Sequence, residues 1–322
     1  MRRPATPSSS VAIQSRRSRG SAAQSRASGS AMTASICAAS ATLRAIGPTC
    51  ATVPVGDGGQ KGTRPWVGLM PKTPVNALGM RIDPARRTLW VASQAFPSMD
   101  GYREDEKKPS AVFEYDADSG RLRRKHVAPS GAAPPAFDDL TVAPDGTVFV
   151  NDGESGRIWT ISPGGTLQVF LESEAFEGTQ GMAVSENGKT LYVSDYQGLF
   201  AIDLPSRRVT PLSVPADLSL SGIDGLTRAG SSLVAIQNGV IPHRVIRIDL
   251  ASDGVTIVSS RILEMNHPDF DEPTLGVVVD GVLYFSADSQ GQKFLDAKNP
   301  PRQEEMRDAV ILRLPLAGER AK

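Results

Sequence analysis

From about Val75 onward the sequence predicts an all-β protein, and three observations carry that prediction. Short alternating apolar runs are broken by Gly, Pro, Asp and Asn, with almost nothing at helical period. One phrase is written five times, its apolar anchors Met80, Leu140, Met182, Leu226 and Val277 standing 60, 42, 44 and 51 residues apart. Further strand-like runs follow each copy, up to four per repeat, and four strands at a period in the forties is the signature of propeller blades. A β-helix would need a much shorter period, and a sandwich has no reason to repeat one phrase.

The elements follow in order. The first repeat runs from the Met80 strand through the turn "DPARR" to "LWVAS", then "AVFEYD" (111–116) and "RLRRKHV" (121–127), where His126 is expected to face solvent. The second is "FDDLTVAPDGTVFVND" (137–152), "RIWTIS" (157–162) and "TLQVFL" (166–171). The third is "GMAVSENGKTLYVSD" (181–195), "LFAIDL" (199–204) and "RVTPLSV" (208–214). The fourth is "GIDGLTRAGSSLVAIQN" (222–238), "RVIRIDL" (244–250) and "VTIVSSRIL" (255–263). The fifth is "LGVVVDGVLYFSAD" (275–288) and "AVILRLPL" (309–316), and it stops after its third strand.

That count predicts a six-bladed design with its first blade incomplete. "TRPWVGLMP" (63–71) reads as an isolated fourth strand, and residues 1–60 contain no recognisable strand to complete either end. The domain boundaries are therefore a disordered or targeting-like segment at 1–60 and a propeller at 61–318. The first segment is rich in Ser, Ala and Arg, and cannot bury enough apolar surface to offset its ordering entropy. Two charged insertions, 97–110 and 289–308, interrupt the first and last repeats and are expected to stand over one face, as a lid or as solvated loops.

Charge narrows the partners. The 322 residues carry 35 basic and 35 acidic side chains, but residues 1–56 hold seven Arg and no acid, leaving 28 basic against 35 acidic residues in the body. A mildly acidic body speaks against nucleic acid, which needs concentrated positive charge. No apolar run reaches the roughly 18 residues of a membrane span, so a soluble protein is expected, cytoplasmic or exported. The only cysteines, Cys37 and Cys50, precede the repeats, so neither disulfides nor thiolate metal sites support the body. No nucleophile elbow or phosphate loop is present.

Propeller topology places the residues just before each first strand in a ring around the channel mouth. Those residues are Leu78, Asp138, Gln180, Asp224 and Leu275. Residues ending the second strands, Asn151/Asp152, Asp195, Asn238 and Asp288, form a wider ring on the same face. Oxygens converging without thiolates suit a hard divalent cation, and a remaining carboxylate could serve as general base. The competing reading is ordinary turn chemistry, in which Asp before a strand satisfies local backbone N–H groups. Asp139 is expected to point away from the axis. His243 and His267 lie in connections that open on the mouth face and are candidates for the substrate side.

The phrases "FDDLTVAPDGTVFVND", "QGMAVSENGKTLYVSDYQGLFAIDL", "GIDGLTRAGSSLVAIQNG" and "HPDFDEPTLGVVVDGVLYFSADSQ" resemble the senescence marker protein/gluconolactonase family, which includes luciferin-regenerating-enzyme-like proteins, over about residues 63–316. The resemblance implies a six-bladed propeller that hydrolyses lactones or related esters with one divalent cation in the channel, Ca2+ first, with Mg2+, Mn2+ or Zn2+ as alternatives. Carried over by position, the family's "DG" aspartate is Asp224, its "PNG" asparagine falls on Gln180, and its "ND" asparagine falls on Asp138. The family's first-blade glutamate has no counterpart, and Glu272 in "FDEPTLG" is the nearest replacement carboxylate. The expectation is a metal-dependent hydrolase of a small molecule with Asp224 as base; metal ligands Gln180, Asp224, Asp138 and Glu272; and substrate contacts from Asp138, Asn238, Asp195, His243 and His267. The alternative is a non-catalytic propeller that binds a small ligand or peptide and has lost the metal site.

Overall fold

The computed structural model describes residues 11–14, 76–94, 110–130, 134–294 and 305–316. A strand β1 (Val11–Gln14) stands far ahead of the rest in sequence. The first blade is β2 (Asn76–Asp83), β3 (Thr88–Gln94), β4 (Ala111–Asp116) and β5 (Leu122–Val127), and the second is β6 (Phe137–Val142), β7 (Val148–Asp152), β8 (Arg157–Ile161) and β9 (Leu167–Glu172). The third is β10 (Met182–Val184), β11 (Thr190–Asp195), β12 (Gly198–Asp203) and β13 (Arg208–Pro211), and the fourth is β14 (Ile223–Ala229), β15 (Ser232–Gln237), β16 (Arg244–Leu250) and β17 (Ile257–Met265). The fifth holds β18 (Gly276–Val279), β19 (Val282–Ser286) and β20 (Val310–Pro315), and β1 pairs antiparallel with β20 as its fourth strand.

The described residues thus form an all-β propeller of five four-stranded blades, and the predicted six-bladed design with an incomplete first blade is corrected. The Met80 repeat is itself a whole blade. The strand that finishes the last blade comes from Val11–Gln14, inside the segment expected to lie apart from the propeller. Four residues with no alternating flank offer no period to read, so their pairing depends on the free edge of β20. The 63–71 run and nearly all of the 97–110 insertion lie outside the described residues, as does the middle of 289–308. Among the described residues no helix is long and apolar enough to cross a membrane.

Burial explains why the four strands of a repeat read differently. Second strands are covered on both faces by neighbouring blades: β7 and β15 are buried at every position. They therefore read as continuous apolar runs. Outermost strands keep one wet face, which is where "LRRKHV" and "IVSSRILEM" put their charged and hydroxyl side chains. His126 departs from its expected exposure. It is the buried position of β5 and lies against Trp90, with ring centroids 5.7 Å apart, while burial pushes its pKa down.

Apolar cores lie between successive blades. Trp90 and Val112 meet Phe137, Leu140 and Trp159; Phe149 and Ile158 meet Met182 and Leu191; Tyr192 and Leu199 meet Ile223 and Leu226; Val234 and Ile236 meet Phe285 and Leu312. Innermost strands approach until backbone touches backbone. A Cβ on Gly181 would stand 2.5 Å from the Asp224 carbonyl oxygen and the Leu226 nitrogen, and one on Gly79 would stand 2.6 Å from the Asp139 Cα. Only glycine fits there. Gly181→Ala is expected to lower stability by about 2–3 kcal/mol, since neither backbone can yield. Gly198→Ala, where nothing stands closer than 3.9 Å, is the near-neutral control. Urea denaturation of the two variants measures the difference.

Candidate functional site

Each inner strand starts with an irregularity that turns the residue before it out of the inter-blade core. In β6 the register slips between Phe137 and Leu140, in β2 between Ala77 and Met80, and in β14 between Ile223 and Gly225. Ahead of β10, Gln180 donates its N–H to the Ser194 carbonyl while Ser194 donates to Gly181, so two residues oppose one. In unbroken alternation Asp138 would share the face of Leu140, and Asp224 that of Leu226, both deep in apolar packing. A bulge resets the alternation and re-aims the side chain.

Asp138 and Asp224 come to the same end of the channel, each partly exposed. Burial pushes Asp138 up to about 7, and the carboxylates of Asp224, Asp139, Asp152 and Glu154 add to the shift. Burial also pushes Asp224 to about 7, opposed by a hydrogen bond from Asn238 and reinforced by Asp139 and Glu272. Asn238 Nδ2 donates to Asp224 Oδ2 at 2.5 Å. Asp138 Oδ2 stands 2.0 Å from where a Cβ on Gly153 would be, so the glycine of "NDG" leaves room for that carboxylate. No described residue donates a hydrogen bond to the Asp138 side chain.

The remaining predicted positions separate into groups. Gln180 occupies the ring position of the third blade and is partly exposed. Glu272 is close enough to raise the Asp224 pKa, but its oxygens accept from Ser289 Oγ, Gln292 N and Gln292 Nε2, at 3.0–3.1 Å. Asp195 is fully buried and clamps a loop, accepting from the N–H groups of Glu177, Gly178 and Gln197. Asn151 and Asp152 are likewise buried: Asn151 bridges Asp139 N and Thr179 O, and Asp152 accepts from Ala136 N. His243 Nδ1 lies 3.0 Å from Val240 O, and the His267 ring packs on Phe270 with Asp269 beside it. Asp288 belongs to a separate cluster with Arg307 and Asp271, and burial lifts it to about 6.

Two residues escaped the sequence reading. Gly225 faces Thr274 O and the Leu275 Cα, as Gly79 faces Asp139, so Thr274 and not Leu275 takes the ring position of the fifth blade. The one-residue offset follows from Thr274 and Leu275 both opposing Ser286. The other is Arg81. Its Nη2 donates to Asp139 Oδ2 at 3.1 Å, and Met182 N donates to the same oxygen at 3.2 Å, tying the first three blades to one buried carboxylate. An arginine just inside a channel strand was the signal available.

The described residues contain no group of three or more His, Cys, Asp or Glu side chains able to share a metal ion. Asp138 and Asp224 bring carboxylates to the mouth, and Gln180 and Thr274 share their ring position among the described residues. Two repelling carboxylates, one with no described hydrogen-bond donor, fit a hard divalent cation in charge and ligand type. Glu272 does not add a third, because the 289–292 segment holds it.

The architecture has many solved counterparts. A chain in the nidogen/laminin complex superposes with a TM-score of 0.50 at 13% identity, over 68% of this chain and 74% of that one. A streptogramin B lyase gives 0.48 at 14%, over 76% and 66%. The calcium-binding protein regucalcin from Agrobacterium tumefaciens gives 0.46 at 16%, over 74% and 90%. The first of these likenesses shows the fold and nothing finer. No protein-family model matches the sequence, and no curated protein matches it.

Adjacent aspartates should behave oppositely on substitution. A carboxyl whose folded pKa is about 7 keeps its proton where the unfolded chain, near 3.8, has lost it. Folded-state stability therefore falls as pH rises from about 4 to 7. Asp138→Asn is expected to remove that loss and gain about 1–2 kcal/mol at pH 8, with little difference at pH 4, discounting for partial exposure. Asp139→Ala strands the largely buried Arg81 guanidinium and should cost about 3 kcal/mol. Denaturant titrations at both pH values read both effects.

Proposed function

We propose that the protein is a hydrolase of small lactones or esters, acting where Asp138 and Asp224 meet at the channel mouth. One observation carries the reading: two neighbouring carboxylates are each lifted to about 7, and the charged groups that lift them are all acidic. Groups titrating near neutrality are matched to proton transfer at working pH. Asp224 is the general base. Asn238 holds its Oδ2, leaving Oδ1 to take a proton from a water as the water oxygen bonds to the acyl carbon. Cleavage of the acyl C–O bond then passes a proton to the departing oxygen, giving a hydroxy acid from a lactone.

One divalent cation, Ca2+ first and Mg2+, Mn2+ or Zn2+ otherwise, would be held by Asp138, Asp224 and the Gln180 amide. When bound it would supply Lewis-acid polarisation of an acyl carbonyl. A second reading, a propeller that binds a small ligand or peptide without turning it over, is favoured by one observation: Glu272 is committed to its own loop and leaves the set at two carboxylates.

The test uses the full chain, chelator-treated and then titrated calorimetrically with each cation, alongside hydrolysis of γ- and δ-lactones and of aryl esters. Stoichiometric cation binding with turnover is expected, with Asp224→Asn lowering the rate roughly 100-fold or more and Asp138→Asn weakening the cation. In the chelator-treated chain the Asp224 carboxyl is expected to titrate near 7, and added cation to lower that value, which carboxyl NMR signals followed against pH would show. Cation binding without turnover of any substrate leaves the binding reading; neither binding nor turnover removes the hydrolase.

A further inference from the structure

At the far end of the channel from Asp138 and Asp224 lies a cavity of about 330 Å3 among the exits of the inner strands. All five blades line it, through Arg81, Thr141, Met182, Thr227 and Val277, and Arg228 stands at its side. The volume is at the small end of the range of ligand sites. We propose that this cavity is a second binding site, selective for a small oxyanion, a carboxylate or phosphate, gripped by Arg81 and Arg228.

The polar groups facing the cavity are unequally committed. Asp83 is the one acid among the described residues of its lining, and it is spent: Arg86 donates to its carboxylate through N at 3.1 Å and Nη1 at 3.0 Å, and the residue is buried. Arg81 is held on two sides, by Met80 O at 2.9 Å and Asp139 at 3.1 Å, so two of its five N–H donors are used among the described residues. Those two bonds also fix the guanidinium, so little freedom remains to be lost on binding. Arg228 donates to Gly230 O, while its nearest acid, Glu186, is 3.9 Å away and 76% exposed, a weak and screened pairing. The hydroxyls of Thr141 and Thr227 make no hydrogen bond to any described residue. Val277 supplies apolar wall for a short carbon skeleton.

These features favour an anion over a cation. A guanidinium keeps its charge at any relevant pH and presents paired N–H donors that match carboxylate and phosphate oxygens. The mouth offers the opposite: carboxylates, and no described cation. Asp139 lies between the two ends, bonded to Arg81 on the cavity side and lifting Asp224 on the other. A dicarboxylic acid such as succinate, or inorganic phosphate, has the size and charge to test the cavity.

Calorimetric titration of the full chain with succinate and, separately, with inorganic phosphate at low salt tests the proposal. One saturable site per chain is expected for at least one of them, weakening as ionic strength rises. Succinate alone marks a carboxylate site; both together mark a general oxyanion site. Arg228→Gln should weaken binding about tenfold, and Thr141→Val about threefold, with unchanged far-UV circular dichroism. Neither change touches the buried Arg81–Asp139 pair, so both variants are expected to fold. The proposal is overturned if neither anion binds up to about 10 mM, or if both variants bind as the unaltered protein does. Hydrolysis is not a readout here, so the hydrolase reading stands or falls separately.

Discussion

The arrangement turns on one buried carboxylate, Asp139. In the innermost strands of three other blades the corresponding position is glycine, because backbone from the next blade passes within contact distance. The second blade puts an aspartate there instead and surrounds it with fixed partners: Arg81 from the first blade, the Met182 N–H from the third, and Asn151 on its own N–H. A buried charge is tolerated only when partners satisfy it. Satisfaction here is incomplete, since Oδ1 has no partner among the described residues and burial keeps the pKa raised despite Arg81. The blade positions are set by a group that cannot move without losing its partners.

That carboxylate also divides the channel electrically. Toward the mouth it adds negative potential to Asp138 and Asp224, which already repel one another, and all three resist ionisation. Toward the other end it anchors a guanidinium beside a cavity whose one described lining acid is neutralised. The proposed cation site at the mouth and the proposed oxyanion site below it therefore sit in surroundings of opposite sign. The separation costs stability at alkaline pH, as buried acids at functional sites commonly do.

Much of the architecture follows from the repeated phrase itself. The anchors Leu140, Met182 and Leu226 are fully buried where the spacing put them, and the charged outer strands face solvent as their composition demands. Asp138 and Asp224 come to one end because the phrase places both just before an inner strand. The phrase could not disclose which polar residues would be consumed by the scaffold. Asp195, Asn151 and Glu272 carry the same side-chain chemistry as the mouth residues, yet their oxygens are taken by backbone N–H groups that lie 2 to 20 residues away.

Local periodicity and turn chemistry, which act over a few residues, were enough to determine the all-β class, the blade repeat and the end of the channel where acids gather. Blade number and closure were decided in three dimensions, because the pairing of Val11–Gln14 with β20 joins segments nearly 300 residues apart and no local rule connects them. The same holds for the Arg81–Asp139 pair, for the one-residue offset that puts Thr274 on the ring, and for the lower cavity. Each arises from contact between blades, and contact between blades is written in no single stretch of chain.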